Sequence, residues 1–203
     1  MRIIHRIALL AVGVGSLFAV EMKTVYSLAN VKTSKEVEAF MQSDLLSWIN
    51  SPAIITAVKA ANEKNAKRTQ AEITALDKEW MAAKDVTPFM KQFIENPVAE
   101  TLREQMKRSK GLIAEAFVMD YQGCIVAEAG KTSDFWQGDE DKFTKSCTAG
   151  AIFVDKIKFD ESSRTSSMQI SLPLFDATAK KVVGAITVTV DMEKRALLKA
   201  YAK

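Results

Sequence analysis

A chain of 203 residues, 48% hydrophobic and 26% charged, has the make-up of one ordinary globular domain with an extension, which excludes bulk disorder. Its formal charge is only +3, so it lacks the strongly basic balance that a nucleic-acid partner requires. Its single histidine is His5.

The first stretch reads as a targeting segment. Arg2 and Arg6 make a basic start, and Ile7 to Val20 is an uncharged run of 14 residues with the small residues Ser16 and Ala19 near a cleavage point. That run is shorter than the roughly 20 residues a membrane-crossing helix needs, which favours a cleaved signal peptide over residues 1–20. The mature chain is then periplasmic or secreted; an uncleaved signal would instead hold it at the inner membrane. No Cys stands near the end of the segment, which speaks against a lipoprotein. Nothing later is apolar for long enough to span a bilayer. Cleavage would leave 26 basic against 25 acidic residues and no histidine. A chain without His has no Ser–His or Cys–His nucleophile pair, no imidazole metal ligand and no haem ligand. No cofactor and no metal site are expected, and the protein is not expected to be an enzyme.

Residues 21–111 read as a helical extension. Glu21 to Lys32 shows no clear period and is expected to be mobile. Thr33 with Glu36 forms a capping box, followed by Val37, Phe40, Met41, Leu45 and Trp48 at helical spacing. Ser51-Pro52 reads as a cap and first helical position, continued by Ile54, Ile55, Val58 and Ala61. The polar stretch Asn62 to Arg68 reads as a break. Thr69 with Glu72 makes a second capping box, with Ile73, Leu76 and Trp80 on the buried side. Thr87-Pro88 opens a short helix bearing Phe89 and Phe93. Asn96-Pro97 opens a longer one bearing Val98, Leu102 and Met106, and Ser109-Lys110-Gly111 stops it. Aromatic and Met side chains at 3.6-residue spacing belong far more often to a core than to a ligand site, so these helices read as scaffold. The first helix could also pair with a second copy as a homodimer, although its apolar repeat is short for a coiled coil.

From Leu112 to Met192 the pattern is strand. Phe117 and Val118 lead into an Asp120-Tyr121-Gln122-Gly123 turn, and Cys124 to Ala129 returns antiparallel. Ala151 to Phe159 alternates, Asp160 to Arg164 turns, and Met168, Ile170 and Leu172 alternate with Gln169 and Ser171. Pro173 marks an edge, a bulge or a strand end. Val182 to Asp191 is rich in Val, Ile and Thr and is the strongest strand. Residues 193–203 can form a short terminal helix with Leu197 and Leu198.

Two strands, a helical connection and a three-strand meander is the element order of PAS-like domains. The phrases FVMDYQGCIVAEAGKTSDFWQGDEDKF, FVDKIKFDESS, MQISLPLFD and VVGAITVTVDM resemble the Cache family of extracytoplasmic sensors, also called PDC domains, in a single-Cache arrangement. WINSPAIITAVKAAN and EITALDKEW resemble the helical lead-in of that family. The resemblance implies an α+β fold: a five-stranded antiparallel sheet in order 2-1-5-4-3 with a long helical N-terminal extension packed on it. It also implies a ligand pocket between the sheet and the loop-helix element Lys131 to Ser146. Small organic acids, amino acids or similar metabolites bind there in the family, and the domain reports to a membrane kinase, chemoreceptor or cyclase. The amino-acid-binding members carry an Arg and paired aromatics before the third strand; Asp139-Glu140-Asp141-Lys142-Phe143 lacks them. The second membrane helix and signalling domain of a receptor are also missing, which implies a stand-alone binding protein or one with a separate partner. In this topology Cys124 and Cys147 would lie near opposite sheet edges, beyond the roughly 7 Å that a disulfide spans, and are expected as free thiols.

The residues support such a pocket independently. A small polar ligand needs an apolar wall and a few convergent polar groups. Phe117, Trp136 and Phe143 can supply the wall, and Gln137, Lys142, Gln169 and Ser171 the polar contacts, with Lys142 suited to a carboxylate. Trp136 can equally be a lid over the core, Asp139 a helix cap, Asp134 a loop closure and Asp191 a turn residue. An interaction protein whose pocket is filled by its own side chains is the rival reading. A hydrolase using paired carboxylates such as Asp134 and Glu140 is a weaker one. Asp139, Glu140 and Asp141 fit no calcium-loop spacing.

Overall fold

The computed structural model describes residues 25–160 and 165–202. The expected signal peptide, residues 1–20, lies outside the described residues, as does most of the expected turn at 160–164. Helix α1 is Lys35–Phe40, continued through a π-helical turn Met41–Leu45 into Leu46–Trp48. Then come α2 (Pro52–Asn65), α3 (Gln70–Ala82), α4 (Pro88–Ile94) and α5 (Pro97–Arg108). Strands β1 (Ile113–Asp120) and β2 (Ile125–Glu128) follow. The short α6 (Asp141–Phe143) runs into a second π turn, Thr144–Thr148. Strands β3 (Phe153–Val154), β4 (Lys158–Asp160), β5 (Thr165–Asp176) and β6 (Lys181–Asp191) complete the sheet. A 3-10 turn, Met192–Lys194, leads into α7 (Arg195–Ala200).

The class is α+β, with the helices packed on an antiparallel sheet. The sheet has six strands in order β2-β1-β6-β5-β3, and β4 also pairs with β5. The sixth strand arises because the expected third strand breaks in two. Asp155 turns its carboxylate onto its neighbours, accepting the Lys156 N–H at 2.8 Å and pairing with Lys158 at 2.6 Å. Such local bonds compete with the ladder. Pro173 sits in the middle of β5, where its missing N–H does no harm. β3 pairs only with Ser171 and Ile170, so β5 is an edge by residue 173.

Two apolar clusters lie against the sheet. One joins α1, α2 and α5 to Ala116, Val118, Ile170, Leu172, Ile186 and Val188. The other joins Ile73, Trp80 and Met90 to Phe117, Met119, Ile125, Phe135, Phe143, Cys147 and Ala185. Alternate residues of β1 enter different clusters, as the two-residue period requires.

Four local expectations need correction. The N-cap of α1 is Ser34, not Thr33, and its hydroxyl accepts the Val37 N–H. The segment from Val25 is docked rather than mobile. The Tyr26 hydroxyl donates to the Pro173 carbonyl at 2.6 Å and accepts from the Asn50 amide at 2.6 Å. The expected break begins only after Asn65, because the polar residues there are tertiary contacts. Asn62 donates to the Val183 carbonyl at 2.7 Å and accepts the Tyr121 N–H at 2.8 Å, while Asn65 donates to Asp120 at 2.6 Å. Asp139 does not cap α6; Glu140 holds that position, without a side-chain bond.

Helix α2 reaches the sheet at Gly184. A Cβ there would lie 2.2 Å from the Met119 carbonyl oxygen and 2.9 Å from Val58 Cγ1. Neither backbone nor a packed helix can give way cheaply. Gly184→Ala should therefore lower unfolding free energy in urea by about 1–3 kcal/mol.

Candidate functional site

Strand register makes the two faces of the sheet chemically different. On the helix-facing side, Ala127, Val118, Ile186 and Leu172 form one cross-strand row, and Ala116, Val188, Ile170 and Val154 another. Both rows are wholly apolar. On the opposite side one row reads Glu128, Phe117, Thr187, Ser171 and Phe153. The next reads Glu115, Thr189 and Gln169. Glu128, Thr187 and Ser171 are each fully buried. The Ser171 and Thr187 hydroxyls bond each other at 2.8 Å, and Thr189 donates to Glu115 at 2.8 Å.

The loop-helix element that lies over this face is stapled in place by α3. The Asp77 carboxylate accepts the N–H groups of Phe135 and Trp136, both at 2.9 Å. The Trp80 indole donates to the Thr132 carbonyl at 3.0 Å. Trp80, Phe89, Phe93 and Phe135 form a ring cluster with centroids 5.2–6.1 Å apart. Beneath this cover, Phe135, Phe143 and Cys147 share a buried apolar cluster with Phe117, Met119 and Ala185, so that part of the face is dry. The polar part adjoins it. Lys142 Nζ stands 5.4 Å from the centre of the Phe117 ring and 3.1 Å from the Glu140 carboxylate, with only 12% of its side chain exposed.

The expected site residues separate into two groups. Phe117, Gln169 and Ser171 share the polar face, and Lys142 and Phe143 reach it from α6. Trp136 and Gln137 have internal partners instead. The Trp136 indole donates to the Gln122 carbonyl at 2.8 Å, and its ring presses on Gly138, where a Cβ would fall 2.4 Å from the indole nitrogen. The Gln137 amide donates to the Asp134 carbonyl at 3.0 Å and to its carboxylate at 2.5 Å, so Asp134 closes the loop. Asp191 accepts the Glu193 N–H and is a cap residue.

Glu128 and Thr187 escaped the sequence reading. The signal for Glu128 was there: one acid at the end of the apolar run Ile125–Glu128. Its Oε2 accepts both the N–H and the hydroxyl of Thr132, at 3.0 and 2.7 Å. Its Oε1 is buried and meets no hydrogen-bond donor among the described residues. Burial pushes this carboxyl up to about 7; the Thr132 bonds oppose that, the nearby Glu115 charge adds to it, and Lys131 opposes it.

Other polar groups are structural. Asp120 accepts from Asn65 and from the Gln122 and Cys124 N–H groups, although burial still pushes its carboxyl up. Cys124 and Cys147 are free and buried, and burial pushes both thiols up to about 12, so neither is a ready nucleophile. Their lack of pairing agrees with expectation, but not for the expected reason, since both lie in one cluster. A cleft of about 930 Å³ opens between α2 and the β5–β6 turn. Its buried acid, Asp176, is already paired with Lys59 at 2.7 Å and accepts two turn N–H groups. Among the described residues no cluster could hold a metal ion, and no helix is long and apolar enough to cross a membrane.

No protein-family model matches the chain, and no curated protein does. Among solved structures it is similar to the sensor domain of the V. cholerae histidine kinase DctB, at 12% identity over 93% of this chain and 56% of that one, with a TM-score of 0.40. It is also similar to the sensory domain of the Campylobacter jejuni chemoreceptor Tlp3, at 13% identity over 82% and 66%, with a TM-score of 0.40. A third is the ligand-binding domain of the Pseudomonas aeruginosa amino-acid chemoreceptor PctC, in complex with GABA, at 12% identity over 78% and 64%, with a TM-score of 0.36. The chain spans between 56% and 66% of the length of these three structures.

Glu128 gives stability a pH dependence of definite sign. Its folded pKa of about 7 lies above the ordinary 4.5, so the folded state holds the extra proton between those values. This contribution is fully present below 4.5 and is lost as pH rises through 7, roughly 2–3 kcal/mol between pH 5 and pH 8. No histidine lies among the described residues to obscure that window. Urea denaturation from pH 5 to 8 should show the decline in the wild type and a nearly flat profile in Glu128→Gln.

Proposed function

We propose that the chain is an extracytoplasmic sensor module without catalytic activity. It binds a small polar metabolite, an organic acid or a similar molecule, on the polar face of its sheet. It then passes the bound state to a partner such as a membrane sensor kinase or chemoreceptor. In this reading residues 21–111 support the site, 112–192 form the sensor core and 193–203 the outlet. The supporting observation is the contrast between the faces: buried Thr187 and Ser171 interrupt the apolar sheet beside Phe117, and Lys142 stands over that ring. A mid-sheet polar row is costly unless it is used, and its hydroxyls can turn towards a ligand. Lys142 supplies the charge for a carboxylate, releasing Glu140 as the ligand enters. Phe117 and Phe143 form the wall, and Gln169 and Ser171 add polar contacts.

An outlet adjoins the site. Strand β6 carries Thr187 and Thr189 and runs directly into α7. There Tyr201 packs on Phe40 at 5.0 Å and donates to Asp44 at 3.0 Å. A change at the sheet can therefore reach both terminal helices. The dry cluster under the loop favours the rival reading, an interaction protein with a self-filled core.

Thermal unfolding against a panel of organic acids, amino acids, amines and purines separates the two. A ligand that binds only the folded state adds about 2.7 kcal/mol at a hundred times its dissociation constant. The expected result is a dose-dependent shift that Lys142→Ala abolishes and Trp136→Ala retains, on a lower baseline. A full panel without any shift would favour the self-filled core.

A further inference from the structure

The site just described has an acidic end. We propose that Glu128 is its cation-binding anchor and takes a protonated amine of a ligand whose carboxylate faces Lys142. This rests on the sensor reading above and narrows its ligand to a small molecule carrying both charges.

The argument starts from hydrogen-bond capacity. A carboxylate has two oxygens to satisfy. Thr132 fills Oε2 with two donors, and Oε1 is left with none among the described residues. Glu128 lies directly across the strand pair from Phe117, the ring over which Lys142 stands. The two side chains thus flank one aromatic floor. The charged groups around Glu128 have other engagements. On β1, Glu115 accepts from Thr189 and carries the same sign. In the following loop, Lys131 donates to the Ala83 carbonyl and Asp134 is bonded to Gln137. On α4, Lys91 and Glu95 approach each other at the surface. On α5, Arg103 serves Glu100 and the Ile94 and Ala129 carbonyls. On α6, Lys142 pairs with Glu140.

A buried acid without a cation keeps its proton, which is the physical content of a carboxyl pushed up to about 7. An incoming ammonium supplies the missing positive charge. The Glu128 proton then leaves to solvent, the ligand N–H takes its place on Oε1, and no covalent bond changes. Thr132, which grips the other oxygen, opens the covering loop, so occupancy at Glu128 acts directly on the cover.

The test uses the whole protein and α- and ω-amino acids of three to five carbons, beside carboxylic acids and alkylamines of matched length. Isothermal titration at pH 6, 7 and 8 is the readout. The expected result is at least tenfold tighter binding of the amino acids than of the matched acids. Their affinity should rise about tenfold from pH 6 to pH 8, because a group titrating near 7 must lose its proton. Glu128→Gln should erase both differences and leave the plain acids unchanged. Should that variant fold poorly, wild type alone decides: titration in buffers of different ionisation heat should show nearly one proton released per ligand at pH 6 and almost none at pH 8. A preference for plain acids, or an amine preference without proton release, overturns the role of Glu128 while leaving the sensor reading intact. Binding of amines alone, indifferent to Lys142→Ala, overturns the anionic end of the site. No binding by any probe overturns both.

Discussion

A central strand covered on both faces must send alternate residues into two different environments. That constraint organises this molecule. In β1, Ala116 and Val118 go to the helices, while Phe117 and Met119 go to the loop-helix cover. In β5 and β6 the same alternation sends Ile170, Leu172, Ile186 and Val188 one way and Ser171 and Thr187 the other. A one-residue slip would carry the hydroxyls into the helix-facing core and the aliphatic residues out of it. Fold stability and site chemistry are therefore held by one register.

The cover depends on that register in turn. It has little regular structure of its own, with one short helix and a π turn. Its position comes from outside, from Asp77 on two backbone N–H groups and from Trp80 on the Thr132 carbonyl. The aromatic contacts around Trp80 and Phe135 each contribute about 0.5–1.5 kcal/mol beyond simple burial. Helix α3 is thus more than packing on the outside: it decides where Lys142 and Thr132 stand over the sheet. Thr132 is held from both sides, by Trp80 through its carbonyl and by Glu128 through its N–H and hydroxyl. The buried acid and the loop are one mechanical unit.

Much of the architecture was legible locally. Proline after a capping residue marked the starts of α2, α4 and α5. The Thr69–Glu72 capping box stood where its spacing placed it. The failures have a common cause, which is polar groups whose partners are remote in sequence. Asn62 and Asn65 looked like a helix break because their partners, Val183, Tyr121 and Asp120, lie 55 to 121 residues away. Tyr26 looked unattached because its partner Pro173 is 147 residues on. Trp136 looked equally suited to a ligand or to a lid until its indole was seen to reach the Gln122 carbonyl.

By itself the sequence determined what depends on neighbours along the chain: helix caps, strand alternation, turns and the absence of histidine beyond residue 5. Those properties are set within a few residues, where capping and period act. Only the tertiary structure decided which polar residues stand together. It brought Lys142 over Phe117, set Thr187 beside Ser171, and closed Glu128 with one oxygen held and the other without a donor. The reason is that burial and cross-strand pairing are properties of the assembled sheet. The desolvation that makes Glu128 an unusual acid does not exist until β1, β2 and the covering loop meet.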